Sequence, residues 1–545
     1  MTGQRHKTSP IDTQTGDHVG RSSVTIGAGV LLSRITGAAR LLVGAAIFGR
    51  SVVGDLFVAI NVLPLTLLAV FGGPAVTSVL VPPLVRLWET SAKRAEELVA
   101  RVLGVSVLFL VGASVVLVLG RSLIAQLFVT AVEQDRDMAL ATASQLLAVM
   151  LPQIILYGMV AVLVSVQHAR GRFAVASIAP AFENLVMIAV LWVLSDEIQG
   201  ATSGGGVSEA TIWKLGLGST LAVLVHVGMQ WFGAASDGTR ISFAFRSNGA
   251  DIGSLGQPVA GSLAWTIQTA VARIALLVAV GFVGVGGVQG FEIATLVSVL
   301  PWATVAYPIA AATLPKMATG EGSLRRLADA TAASTIVASW ILIPAGVGMI
   351  VFAWPLAEVA TLGRFSDATS VQITAWALAG VGGASIMQSW YEIARQATMA
   401  AELYRSMNQS VAVAAVLTGI GLVSVVALSD GKVLSLAVGV VLTVATGGAT
   451  AVIARPFLLQ LDSGGWRRIR HHGIRILAMT AFASAAGVLA WFQLSRATES
   501  ATLVLAGLGV AYVLAALAAG YLLTDRSATL RSLVDELNTH GSAST

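Results

Sequence analysis

The sequence predicts an all-α, multi-pass membrane protein, and three observations carry that prediction. Only 11% of the 545 residues are charged, while 56% are hydrophobic; soluble domains carry roughly 25% charged residues. Apolar stretches of about twenty residues recur along the whole chain, each long enough to cross a hydrocarbon core of ~30 Å as a helix. Lys and Arg alternate between the connections, as they do when cytoplasmic loops collect the positive charge. A soluble enzyme, a nucleic-acid binder and a disordered scaffold are excluded by the same composition. The net charge of +5 is therefore read as loop charge rather than as a nucleic-acid surface.

Fourteen spans are expected, at 23–49, 55–85, 98–129, 137–167, 173–195, 209–233, 255–284, 289–315, 328–354, 368–392, 406–428, 433–454, 474–494 and 501–523. Residues 1–22 are polar, carry Arg5, Lys7 and Arg21, and lack the apolar core of a signal peptide. They are expected to form a disordered cytoplasmic tail. The connections after even-numbered spans hold Arg86, Lys93 and Arg94, then Arg170 and Arg172, then Arg240 and Arg246, Lys316, Arg325 and Arg326, Arg395 and Arg405, and the run Arg455 to Arg475. That alternation places both termini in the cytoplasm. The absence of cysteine removes disulfides, thiolate metal sites and cysteine nucleophiles. His471 and His472 are expected in a basic loop with Arg467, Arg468 and Arg470, and form no ligand set. No metal, no cofactor and no enzymatic activity are expected.

An internal repeat divides the chain. GAARLLVGAAIFG (37–49) followed by DLFVAINVLP (55–64) resembles AVARIALLVAVGF (270–282) followed by EIATLVSVLP (292–301). Each copy places an Ala-Arg pair, at Arg40 and Arg273, before an acidic residue, Asp55 or Glu292, that precedes Val-Leu-Pro. Both copies start on an odd-numbered span, so the repeat is parallel, the plan of transporters built from two pseudo-symmetric halves. The expected domains are a tail at 1–22, an N-lobe at 23–233 (spans 1–6), a C-lobe at 252–455 (spans 7–12), spans 13–14 at 474–523, and a cytoplasmic tail at 524–545.

Ionisable groups inside a bilayer cost at least ~2.5–3.5 kcal/mol each and mark functional positions. Here they are Arg34 and Arg40 on span 1, Asp55 on span 2, Arg273 on span 7, Glu292 on span 8 and Glu183 on span 5. Arg34 and Arg40 lie some 120° apart and ~9 Å along a helix, so they edge one broad face. Arginine forks match phosphate oxygens in pairs, which points to an anionic substrate. Asp55 and Glu292 are expected to pair with these arginines when no substrate is bound. Glu183 is expected to pack or pair near Arg170 and Arg172, and no intramembrane His–carboxylate chain is expected. Pro64, Gly72, Gly73 and Pro74 on span 2, Pro152 on span 4, and Pro301 and Pro308 on span 8 are expected to bend helices, by gating or by close packing.

These residues also carry a family resemblance. SRITGAAR (33–40), Asp55, LP at 63–64 and VP at 81–82 look like the opening of the MurJ (MviN) lipid II flippases, members of the multidrug/oligosaccharidyl-lipid/polysaccharide exporter superfamily. HARGRFAVASIAPAFENL (168–185), LPWATVAYPIAAATLPKMA (300–318) and PLAEVATLGRFSDA (355–368) continue it in order. The resemblance implies two six-helix lobes around a central cavity and two extra helices lining a groove for a lipid tail. It implies a flippase that moves a polyprenyl-pyrophosphate-linked glycan, lipid II first, by alternating access, for peptidoglycan synthesis. Arg34, Arg40 and Asp55 fall on the family's functional positions; Arg273 and Glu292 join them as substrate-binding candidates. The family's span 2 arginine and glutamate fall on Leu68 or Ala69 and on Gly73, and its span 8 arginine on Leu296. Asn408 stands without an acid on span 11, so no sodium site is expected. The implied partners are the lipid-linked glycan, the bilayer and cell-wall synthesis proteins, and no nucleic acid. The alternatives are a flippase for another envelope glycan, a drug exporter of the same superfamily, a polytopic glycosyltransferase, and a transport-inactive scaffold for cell-wall assembly. The arginines of span 1 disfavour the exporter, and the short outer loops disfavour the glycosyltransferase.

Overall fold

The computed structural model describes residues 10–70, 73–132, 135–202, 207–236, 238–245, 253–310, 323–428, 431, 433–497 and, near the C-terminus, 507–509, 511–512 and 514–516. Arg5, Lys7, Gly72, Arg246, Lys316, the tail at 524–545 and most of span 14 lie outside the described residues. Among the described residues there is no strand. Among the described residues, twelve helices are long and apolar enough to cross a membrane, and the two further expected spans fall on shorter apolar stretches, Thr266–Gly281 and Gly507–Ala516. The protein is a multi-pass, all-α membrane protein.

Span 1 is α1, Pro10–Phe48, so helix begins inside the segment expected to be an irregular tail; proline suits the first helical position because its missing N–H is not needed there. Span 2 is divided between α2, Val52–Val70, and α3, Gly73–Thr90. Spans 3 and 4 are likewise pairs: α4 (Ala92–Leu119) with α5 (Arg121–Val129), and α6 (Arg136–Met150) with α7 (Gln153–Ala169). Then come α8 (Ala174–Val193), α9 (Ser195–Thr202), α10 (Glu209–Ala235), α11 (Gly253–Gly281) and α12 (Gly287–Pro301). A π-helical turn at Trp302–Ala306 follows Pro301, whose missing N–H cannot continue the α ladder. The chain continues through α13 (Ser323–Val351), α14 (Ala353–Ala360), α15 (Ala368–Ala400), α16 (Tyr404–Leu428), α17 (Val433–Leu458) and α18 (Ser463–Ala497). Arg467, Arg468, Arg470, His471 and His472 thus lie on the first turns of α18 rather than in a loop.

Residue contacts divide the chain into two units. The first comprises Met1–Gly44, Ile60–Ala125 and Leu140–Leu263; the second comprises Ala45–Ala59, Gln126–Ala139 and Ala264–Thr545. The boundaries fall within α1, α2, α5, α6 and the first part of α11. In the first unit α8 packs on α10, and α7 packs on α3, α4 and α10. Leu80, Leu84, Leu103, Leu163 and Val166 fill that core. In the second unit α15 is central, packing on α17, α13 and α12. Its glycines make this possible: a Cβ on Gly380 would stand 2.5 Å from the Leu436 carbonyl oxygen, and one on Gly439 would stand 2.4 Å from the Gly380 carbonyl carbon. Small residues let membrane helices approach this closely. Asp367 starts α15 by accepting from the Thr369 and Ser370 amides and from the Ser370 hydroxyl. Burial pushes its carboxyl up, but those donors and Arg50 outweigh burial and hold it below the ordinary value.

Candidate functional site

In the first unit the charged positions converge on Glu183. Glu183 and Asn184, adjacent polar residues in the otherwise apolar middle of α8, are both buried, each only 8% exposed. Asn184 donates to the Ser33 carbonyl and the Thr36 hydroxyl and so fixes α8 against α1. One turn further along α1, Arg40 reaches Glu183 Oε1 at 3.9 Å. Tyr157 Oη of α7 donates to the same carboxylate at 2.8 Å, and His226 Nδ1 of α10 lies 2.7 Å from Oε2. The other ring nitrogen of His226 meets Gln230 Nε2 at 3.1 Å, and Gln167 Nε2 donates to Gln230 Oε1 at 2.6 Å.

Two expectations are corrected here. The partner of Glu183 is Arg40, while Arg172 donates to the Ser236 hydroxyl and Arg170 lies over the Trp88 ring. An intramembrane histidine–carboxylate chain does exist, running Glu183–His226–Gln230–Gln167. The sequence signal was the polar pair His226 and Gln230, one helical turn apart in an apolar span and therefore on one face. Arg34, also on α1, is exposed.

In the second unit, Arg273 of α11 binds Glu292 of α12, its Nη2 standing 2.6 Å from both carboxylate oxygens. The side chains are 26% and 12% exposed. Asp55 does something else. α12 begins at Gly286, whose φ of 91° suits only glycine well, and which offers no side chain to cap the helix. Asp55 supplies the missing cap from α2, its carboxylate accepting from the Gly286 amide at 2.6 Å and the Gln289 amide at 3.0 Å. Gln289 Nε2 returns a hydrogen bond to the Gly49 carbonyl at 3.0 Å. A negative group at a helix N-terminus is further favoured by the helix dipole. Asp55 and Glu292 therefore take partners other than Arg34 and Arg40.

Also in the second unit is a cavity of about 500 Å³ bounded by α13, α15, α17 and α18. Its wall is mainly apolar, with Ile336, Met387, Trp390, Phe457 and Leu461, interrupted by Thr331, Ser339 and His472. Leu68 is buried against Leu110 and Ile154. Among the described residues no three His, Asp or Glu side chains gather as a metal site would require.

Comparison with known proteins follows the same lines. The family model described as lipid II flippase MurJ matches residues 44–506. A probable lipid II flippase MurJ of Rhizobium meliloti (strain 1021) is 25% identical over 358 residues, 64% of each chain. One from Vibrio cholerae serotype O1 is 26% identical over 186 residues, 33% of this chain and 35% of that one. The aligned stretch thus spans less than two thirds of either relative. Among solved structures, lipid II flippase MurJ in an inward closed conformation superposes with a TM-score of 0.72, at 15% identity, over 94% of this chain and 100% of that one. An inward-facing multidrug resistance transporter of the MATE family superposes with a TM-score of 0.59, at 15% identity, over 81% and 95% of the two chains. At such identities the superpositions establish the fold, that of the multidrug/oligosaccharidyl-lipid/polysaccharide exporters.

Proposed function

The chain belongs to the lipid II flippase MurJ family, and on that premise we propose that it carries a polyprenyl-pyrophosphate-linked glycan, lipid II first, across the cytoplasmic membrane for peptidoglycan synthesis. The physical task is to keep a sugar-pyrophosphate head out of hydrocarbon while it crosses. Alternating access accomplishes this without covalent chemistry. Arg34 and Arg40 meet the pyrophosphate; Arg34 is exposed, and the Arg40 side chain is 31% exposed beside its carboxylate. Arg273 is the third cation, available when Glu292 releases it. Asp55 acts as a latch, holding α2 to the start of α12. The apolar cavity beside α18 suits a stretch of polyprenyl chain. Both termini face the cytoplasm, following the loop charges, and cell-wall synthesis proteins are the expected partners. The pseudo-symmetric lobes at 23–233 and 252–455 supply the rocking halves.

The observation that carries the reading is the family match over residues 44–506, which includes Asp55, Arg273 and Glu292. The apolar residues at the positions where the resemblance puts the family's span 2 and span 8 arginines, Leu68 or Ala69 and Leu296, favour keeping a second reading, a flippase for another lipid-linked envelope glycan. Depletion in the native host, followed by identification of lipid-linked precursors trapped in the inner leaflet, separates the two. Accumulated lipid II supports the first and a different glycolipid the second. If no precursor accumulates, transport is refuted and the scaffold reading takes its place.

A further inference from the structure

The Glu183 cluster contains more than is needed to hold an arginine. Glu183 stands on α8; α1 brings Arg40 to it, α7 brings Tyr157 and α10 brings His226. One carboxylate is thus contested by two cationic groups of different kinds. The guanidinium at 3.9 Å is charged at every pH. The imidazole at 2.7 Å is charged or neutral according to pH. Tyr157 donates its hydrogen bond in either state, and Gln230 holds the far side of the ring. With His226 neutral, the negative charge of Glu183 is left to Arg40. With a proton added to the ring, the imidazolium satisfies the carboxylate at shorter range. Arg40, already about a third exposed, is then available to an external anion.

We propose that Glu183 and His226 form a proton-binding site that controls the capacity of Arg40 for phosphate oxygens. Proton uptake frees the arginine, and proton loss returns it to Glu183. One proton enters at His226 Nε2, since Nδ1 already donates to Glu183; the hydrogen bond that Nε2 accepts from Gln230 and the Glu183–Arg40 ion pair are both given up, and the Glu183–His226 contact becomes charge-paired. Anion and proton therefore favour each other's binding, by the reciprocity of linked equilibria. The inference rests on the reading of Arg40 as a pyrophosphate ligand and adds to it the means by which the ligand is offered or withdrawn.

The test uses the full-length chain in detergent, titrated with undecaprenyl pyrophosphate at pH 6, 7 and 8. The parent is expected to bind more tightly as pH falls, by up to about tenfold per unit, relative to the probe's own ionisation, which all variants share. Glu183→Gln leaves Arg40 permanently free, so binding is tight and the protein's pH dependence is lost. His226→Asn leaves Glu183 charged and Arg40 held, so binding is weak and equally flat. Tyr157→Phe keeps the parent's slope. A merely structural cluster would weaken both variants alike, and that result, or the parent's slope retained in both, overturns the proposal. Histidine-selective NMR of the unliganded protein, with the His226 resonance assigned by loss in His226→Asn, provides a second measurement. Arg40→Ala should change the pH dependence of the His226 resonance, because a neighbouring positive charge is gone. An unchanged midpoint overturns the proton site even where the substrate reading stands, whereas failure of the parent to bind the probe at any pH refutes the substrate reading itself.

Discussion

Replacement of Asp55 by alanine tests the latch most directly. The carboxylate accepts two backbone donors at the buried start of α12, at 2.6 and 3.0 Å. A hydrogen bond to a charged group contributes about 1.5–3 kcal/mol, and loss of a helix cap costs roughly 0.5–2 kcal/mol. These terms overlap, so about 3 kcal/mol is a reasonable value for the closed arrangement. That corresponds to an increase of roughly 150-fold in the open population, since 1.4 kcal/mol is tenfold. The chain contains no cysteine, so one introduced thiol reports alone. Ala59, a turn further into α2, is 2% exposed, and Ala59→Cys is a small change. Labelling of that thiol by a membrane-impermeant maleimide should accelerate on adding Asp55→Ala by up to the same factor, provided closing outruns labelling. Asp55→Asn retains one acceptor oxygen and should fall between. A labelling rate in Asp55→Ala within twofold of the parent would show that Asp55 holds nothing closed.

Other outcomes follow from the remaining contacts. Arg34→Ala and Arg40→Ala should each abolish rescue of depleted cells while leaving the thermal transition in place; full rescue by both would remove α1 from the substrate path. Arg273→Met leaves Glu292 without its counter-charge and should destabilise by about 3 kcal/mol, at the low end for a broken buried pair because Arg273 is partly exposed. Adding Glu292→Gln should recover most of that in thermal denaturation, and no recovery would mean that packing, not charge, set the cost. Asp367 has a folded value below its unfolded one near 3.8, so its contribution is complete above about pH 4 and is lost as pH falls through the depressed value. The stability gap between the parent and Asp367→Asn should therefore close below pH 4, and a gap unchanged from pH 6 to 3 would contradict the capping role. Gly439→Val puts a side chain onto the Gly380 backbone and should cost at least about 1–3 kcal/mol by overpacking, measured as a lower transition temperature.

The spans were legible because apolar length is a property of each segment alone. Twelve of the expected helices have the length and composition to cross a membrane, and their order follows the sequence without tertiary information. Helix ends were less legible. The basic run Arg467 to Arg475 reads as a loop by charge, yet it continues α18 because nothing in it breaks a helix. Partner choice was not legible at all. Sequence marks Arg40, Glu183 and His226 as costly inside a bilayer, but which acid meets which base depends on how α1, α7, α8 and α10 pack. Thus Glu183 stands near Arg170 and Arg172 in the chain, while the cation beside it comes from a helix more than a hundred residues away. His226, a lone histidine in an apolar span, shows no partner in the sequence.

The repeat explains why two similar marks came to do different work. Asp55 and Glu292 each stand nine residues before a Val-Leu-Pro proline, yet one caps backbone and the other binds an arginine. α2 starts at Val52, so Asp55 lies in its first turn; α12 starts at Gly287, so Glu292 lies beyond its first turn, deeper by about 3 Å at 1.5 Å per residue. At that depth Glu292 meets Arg273 descending on α11. Asp55 stays at the helix end, level with the uncapped amides that follow the longer, glycine-rich connection of the second copy. That connection creates the need for a cap and places the amides where Asp55 reaches them. Shortening it by removing Gly284 should therefore weaken the latch in the maleimide assay while leaving the Arg273–Glu292 pair intact, as judged by an unchanged penalty for Arg273→Met. A simultaneous loss of both would mean that the two acids act as one unit.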